Sequence, residues 1–108
     1  MNNVKHLITS LLIILSISLS AQNGEIKGKV TDRAGQPVSN ANISITDTKL
    51  GSSTNDAGYF IIKKIPAGNY AITFSNVGFQ SISKPVEVKA NESTEVNFLT
   101  EEAVSLLK

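Results

Sequence analysis

GKVTDRAGQPVSNANISI, residues 28–45, sets the fold class, and TNDAGYFII (54–62) and IPAGNYAITF (65–74) repeat its logic. Each stretch is a short run with apolar residues at every second position, cut by a turn that carries an acidic or amide residue and a glycine. Alternation with period two, rich in β-branched and aromatic residues, is the mark of a half-buried strand. Glycine supplies the positive φ that a tight turn needs, and a nearby Asp side chain accepts from backbone N–H two residues on.

Outward from this stretch the same reading continues. Residues 25–32 alternate Ile26, Gly28 and Val30 against Lys27, Lys29 and Thr31, with Gly28 on the inward side, where a missing side chain marks a bulge or a close backbone approach. Ala41, Ile43 and Ile45 form a second strand. Residues 47–53 read as a polar loop with Leu50 turned inward, and Thr54 starts a short third strand. The turn at 55–58 leads by a tight hairpin into residues 59–63, where Phe60 and Ile62 share a face and the pair Lys63-Lys64 forms a solvated strand end.

Tyr70, Ile72 and Phe74 alternate in a fifth strand. Ile82, Val86 and Val88 follow in a sixth, in which Pro85 has no N–H to donate and so belongs at a sheet edge. Val96 and Phe98 point inward from a last strand over 94–99. Seven strands about ten residues apart with no helix between them indicate an all-β Greek-key sandwich.

The chain has 108 residues, room for one domain. Its first 21 residues read as a cleaved signal peptide: a short start with Lys5, an apolar run at 7–19 and small residues at Ser18, Ser20 and Ala21. The run is shorter than the roughly 20 residues a membrane span needs. Cleavage falls after Ser20 or Ala21. The organisation is then leader 1–21, sandwich 22–99 and a connector at 100–108. That connector is either a short helix carrying Ala103, Val104, Leu106 and Leu107 or an extended linker, and its leucines lead to the expectation of further protein beyond Lys108.

Removing the leader takes Lys5 and the single histidine, His6; the ten basic residues become nine against nine acidic ones, and the net charge is zero. A neutral chain without a run of Lys or Arg lacks the concentrated positive face that nucleic acid requires. Without cysteine there is no disulfide, no thiolate nucleophile or metal ligand, and no lipidated N-terminal cysteine. Membrane association would come only through a partner or a further C-terminal region.

Without His or Cys the mature chain has no ordinary general base, so no catalytic residue, cofactor or metal is expected. Ser81 and Lys84 match a Ser-x-x-Lys pattern in letters, but in a strand positions three apart face opposite ways. Asp32, Asp47 and Asp56 are oxygen donors, yet calcium takes six to eight oxygens, and Asp32 and Asp56 lie where turns already account for them. Of the aromatics, Phe60, Tyr70, Phe74 and Phe98 have inward parity; Tyr59 and Phe79 are left as surface contacts for a sugar or a protein. Asn42-Ile-Ser44 and Asn91-Glu-Ser93 fit the glycosylation sequon, a weak match that matters only in a eukaryotic secretory host.

Taken together, Gly28-x-Val30-x-Asp32-x-x-Gly35-x-Pro37-Val38, Ala41-x-Ile43, Thr54-x-Asp56-x-Gly58-x-Phe60, Ile65-Pro66-x-Gly68-x-Tyr70 and Val77-Gly78-Phe79 closely resemble the carboxypeptidase-regulatory-like domain. The resemblance implies a prealbumin-like sandwich with no catalytic role. It further implies the position such domains take behind a signal peptide at the N-terminus of TonB-dependent outer-membrane receptors, some of which import glycans. The expected partners are then other envelope proteins, a receptor plug and barrel or the energising complex, with a glycan as a further ligand, and the expected location is the periplasm or outer membrane. A free-standing secreted binding module and a peptidase accessory domain are the alternatives. Function should lie in exposed edges, in the 47–53 loop and in the tail after Phe98.

Overall fold

The computed structural model describes residues 22–102; the leader expected at 1–21 and most of the expected connector, 103–108, lie outside the described residues. Eight strands are present: β1 (Asn23–Thr31), β2 (Asn42–Ile45), β3 (Gly51–Ser53), β4 (Tyr59–Pro66), β5 (Gly68–Ser75), β6 (Ile82–Val88), β7 (Ser93–Glu95) and β8 (Phe98–Leu99). They form a β-sandwich. One sheet has the order β4-β1-β7, with β8 also on β1; the other runs β3-β2-β5-β6.

The core is what the alternating pattern requires. Ile26 and Val30 of β1 and Phe60, Ile62 and Ile65 of β4 meet Ile43, Ile45, Ile72, Phe74 and Val88 of the second sheet, all buried. Phe98 joins the two halves, with its ring centroid 6.3 Å from Phe60 and 6.0 Å from Phe74. Each such ring or branched side chain removed from water contributes of order 1.5–3 kcal/mol, which matters in a small domain without disulfides. Leu50 and Phe79 pack partly buried against this core.

Several elements depart from the expectation. The third strand lies at 51–53, inside the expected loop, and Thr54 comes directly after it as a buried side chain. The turn at 55–58 passes from β3 in one sheet to β4 in the other, so it is a crossing and not a hairpin. Lys63-Lys64 does not end a strand: β4 runs on to Pro66. Gly24 pairs with Ile65 and Ile26 with Ile62, so Glu25 alone opposes both lysines. That extra residue is a β-bulge; Lys64 takes φ 59°, both lysines point to solvent, and Ile65 is restored to the core.

The seventh expected strand is two, broken at Val96-Asn97. Gly28 is the reason. A Cβ there would lie 1.6 Å from the Val96 carbonyl oxygen, so the backbone of the 96–97 step occupies the space a side chain would fill. Pro85 is on edge strand β6, as its missing N–H requires.

β1 pairs antiparallel with β4 but parallel with β7 and β8. The described chain therefore starts at one pole of the sandwich and leaves at the other, about 25–30 Å away for a nine-residue strand.

Candidate functional site

Two turns organise the pole where β1 ends. In residues 32–36 the N–H groups of Ala34 and Gln36 both donate to Asp32 Oδ1 at 2.9 Å, Gly35 N–H donates to Asp32 O, and Asp32 N–H donates to Gln36 O. In residues 55–59 the N–H groups of Ala57 and Tyr59 donate to Asn55 Oδ1 at 3.0 and 2.9 Å, Gly58 N–H donates to Asn55 O, and Asn55 N–H donates to Tyr59 O. Gly35 and Gly58 share φ 82°. The two turns are one structure made twice. Asn55 plays the part of Asp32, so the expectation that Asp56 builds the second turn is corrected; Asp56 is exposed beside it.

Among the described residues, no three of His, Cys, Asp and Glu gather as a metal site would require. Asp32 spends its carboxylate on its own turn, and Asp47 sits exposed at φ 64° in the β2–β3 connection. Ser81 is exposed, and the Lys84 ammonium donates to Asn97 O at 2.5 Å while lying 5.1 Å from the Phe98 ring centroid. That amine is tied to the backbone at the β7–β8 break.

The two outer faces differ in chemistry. On the first sheet, register places Tyr59 beside Lys29 and Ile61 beside Lys27, with Glu95 next to Lys27 on the far side. Tyr59 is 53% exposed and Ile61 43%, and Lys29 Nζ stands 5.1 Å from the Tyr59 ring centroid, a cation–π distance. A groove of about 580 Å³ is lined here by Tyr59, Ile61, Lys27, Ser53, Glu95 and Asn97. Tyr59 is thus at the surface, as its parity implies, whereas Phe79 turns half inward and meets Phe74 edge-on at 6.3 Å.

The outer face of the second sheet carries small hydroxyl and amide side chains. Thr46 and Thr73 hydroxyls are 3.3 Å apart, Thr73 donates to Ser83 at 3.2 Å, and Asn42 faces Ser75. Tyr70 lies half-buried at the rim, its hydroxyl donating to Pro66 O at 2.7 Å. The β4 edge of the first sheet is guarded. Asn55 takes up both outward backbone groups of Tyr59, and the paired lysines of the bulge come further along β4, a usual means of stopping edge-to-edge pairing.

Two roles were not apparent from the sequence. Thr54, 3% exposed, accepts from Ala41 N–H at 2.9 Å and donates to Val38 O at 2.7 Å, clipping the 38–41 segment to β3. Asn97 accepts from Lys29 N–H at 2.9 Å, so a side chain fills the ladder position that the β7–β8 break leaves without a carbonyl. At the pole where the chain leaves, Thr100 N–H donates to Thr31 O, Gln80 N–H donates to Glu101 O, Glu102 bridges to Phe79, and Arg33 pairs with Glu101. Thr100 is buried, and residues 100–102, assigned to the connector on sequence, are bonded to the sandwich.

The fold is shared widely. A protein of Bacillus anthracis named TIE superposes with a TM-score of 0.66 at 19% identity, over 76% of this chain and 17% of that one. A chain of a type II cohesin–X-dockerin complex from Acetivibrio cellulolyticus gives 0.64 at 18% identity, over 73% and 58%. At such identities the likeness is one of fold. In sequence, the chain is 33% identical over 79 residues to the TonB-dependent receptor SusC of Bacteroides thetaiotaomicron, covering 73% of this chain and 8% of the receptor. A family model described as CarboxypepD_reg-like domain matches residues 26–108, which takes in nearly the whole sandwich with both glycine turns, and the chain belongs to that family.

Proposed function

We propose that this chain is an exported, non-catalytic module that extends the N-terminus of an outer-membrane receptor of the TonB-dependent kind and acts through protein contacts on the periplasmic side. The observation that carries this reading is that the described sandwich is entered at one pole, at the start of β1, and left at the other, after β8, which suits a unit linked in series between other segments. Alignment with 8% of a receptor agrees with such a place in a longer protein. In this proposal residues 1–21 are the leader and 103–108 join the sandwich to the receptor's plug, while partners meet the exposed Val77 and Leu99 at the pole where the chain leaves. Fractionation of the native cells with an antibody to residues 22–102 tests it: the chain should sediment with the outer envelope. Recovery wholly in the culture supernatant would end the proposal.

A second reading has its own observation, the exposed Tyr59 and Ile61 over the groove on the first sheet. An aromatic ring flanked by Lys27, Glu95 and Asn97 offers a stacking surface with donors and acceptors around it, the chemistry that suits a sugar ring. Calorimetric titration with soluble glycans should give heat that Tyr59→Ala abolishes; equal binding by that variant removes this reading.

A further inference from the structure

We propose that β1 and the terminal strands β7 and β8 form a shear clamp, so that the module bears tension applied along the chain. The clamp needs only the topology, whatever segments flank the sandwich. β1 begins at one pole and β8 ends at the other, and the two lie side by side in parallel, with Val30 opposite Phe98 and Thr31 opposite Leu99. Force on the ends drags β1 toward its own start and β8 toward its own end. The strands must slide past each other, and the bonds between them are loaded together.

Those bonds span the full length of β1. Glu25 N–H donates to Glu92 O at 3.0 Å, Val96 N–H to Lys27 O at 2.9 Å, Lys29 N–H to Asn97 Oδ1 at 2.9 Å, and Thr100 N–H to Thr31 O at 2.8 Å. The break between β7 and β8 would leave a gap in this row, and the Asn97 side chain fills it. The bonds that tie the extremities elsewhere are few. Asn23 O accepts from Asn91 N–H and Gln22 O from Ala67 N–H at one pole; at the other, Glu101 O accepts from Gln80 N–H, Arg33 pairs with Glu101 and Glu102 bridges to Phe79. These yield first and pass the load to the ladder.

The same molecule offers a contrasting direction of pull. Gln22 and Ala67 are adjacent and exposed at the pole where β1 starts, and β1 is antiparallel to β4 there. Pulling those two residues apart peels β1 from β4 one bond at a time. Resistance to forced unfolding is set by the unfolding barrier along the loaded direction, so the two axes separate shear from general stability.

The chain has no cysteine, so introduced pairs give unique attachment points. In single-molecule force spectroscopy on the full chain, handles at Gln22→Cys and Glu102→Cys should give an unfolding force about threefold above that for Gln22→Cys and Ala67→Cys, because several ladder bonds share the load instead of one. Asn97→Ala, pulled on the first axis, should unfold about fivefold faster at equal force, the worth of one net hydrogen bond. Thr73→Ala, which breaks hydroxyl contacts away from the clamp, should leave that force unchanged. Equal forces on the two axes would overturn the proposal. So would equal loss in the Asn97 and Thr73 variants. The comparison of axes needs neither of those two substitutions, so it stands even if one of them fails to fold.

Discussion

Replacing Thr54 by Val isolates the clip that holds the 38–41 segment. The two side chains have nearly the same shape, so the core keeps its volume, but the hydroxyl that accepts from Ala41 N–H and donates to Val38 O is gone. Both partners are buried, Ala41 fully and Val38 at 6% exposure, so water does not replace it. Each orphaned backbone group costs about 1–3 kcal/mol, and the extra methyl returns about 0.8 kcal/mol. With both groups at the middle of that range the net loss is about 3 kcal/mol, a large share of the ~4–13 kcal/mol that holds a domain of this size. At roughly 4–8 °C per kcal/mol the melting temperature falls by about 10–25 °C. Thr54→Ser keeps both bonds and deletes one methyl, for a cost of about 1 kcal/mol. Urea unfolding followed by far-UV circular dichroism reads both variants. If Val proved no more harmful than Ser, the hydroxyl would not be the clip and the reasoning would fail.

The two glycine turns should respond unequally to alanine. At both positions φ is 82°, but a Cβ at Gly35 meets nothing within 4 Å, while one at Gly58 meets Val30 O at 2.7 Å and Pro37 Cβ at 3.0 Å. Gly35→Ala should cost about 1–2 kcal/mol from backbone strain alone, and Gly58→Ala clearly more; equal midpoints in thermal unfolding would contradict this. Asn55→Ala removes the acceptor of two backbone N–H groups and should cost about 1–2 kcal/mol, whereas Asp56→Ala should stay within about 0.5 kcal/mol. The reverse order in urea unfolding would restore Asp56 as the builder of the turn.

How far the sequence carries can be traced residue by residue. The parity of β1, β2 and β5 is correct at every core position, because period two is a local property written directly into the chain. It fails at Lys63-Lys64, where a second polar residue between Ile62 and Ile65 breaks the alternation. Read as an insertion and not as a strand end, that doublet identifies the bulge. Asn55 was equally legible: it stands three residues before Gly58, as Asp32 stands three before Gly35, and an amide oxygen accepts as a carboxylate does. The Thr54 clip leaves no such trace, since its partners at 38 and 41 are fixed only by the folded loop. Nor does parallel pairing of β1 with β7 and β8, which joins residues about 68 positions apart and sets no local pattern.

That pairing changes what the repeated turns are for. Val30 N–H donates to Gly58 O, Val38 N–H donates to Val30 O, and Thr100 N–H donates to Thr31 O. The second turn, the 36–38 segment beyond the first and the departing strand thus all fasten to the last two residues of β1. Val77, 96% exposed in the turn before β6, and the Arg33–Glu101 ion pair stand at the same pole. Motifs that look like punctuation between strands therefore converge on one place, the end of β1 where the chain leaves the sandwich. A partner that meets the module there touches a surface held by the same backbone bonds that resist tension, so contact and load are coupled through Thr31 and Thr100. The 47–50 connection toward the opposite pole is fastened instead to Ile45 and, through Thr46, to Ala71 of β5, with no backbone hydrogen bond to β1.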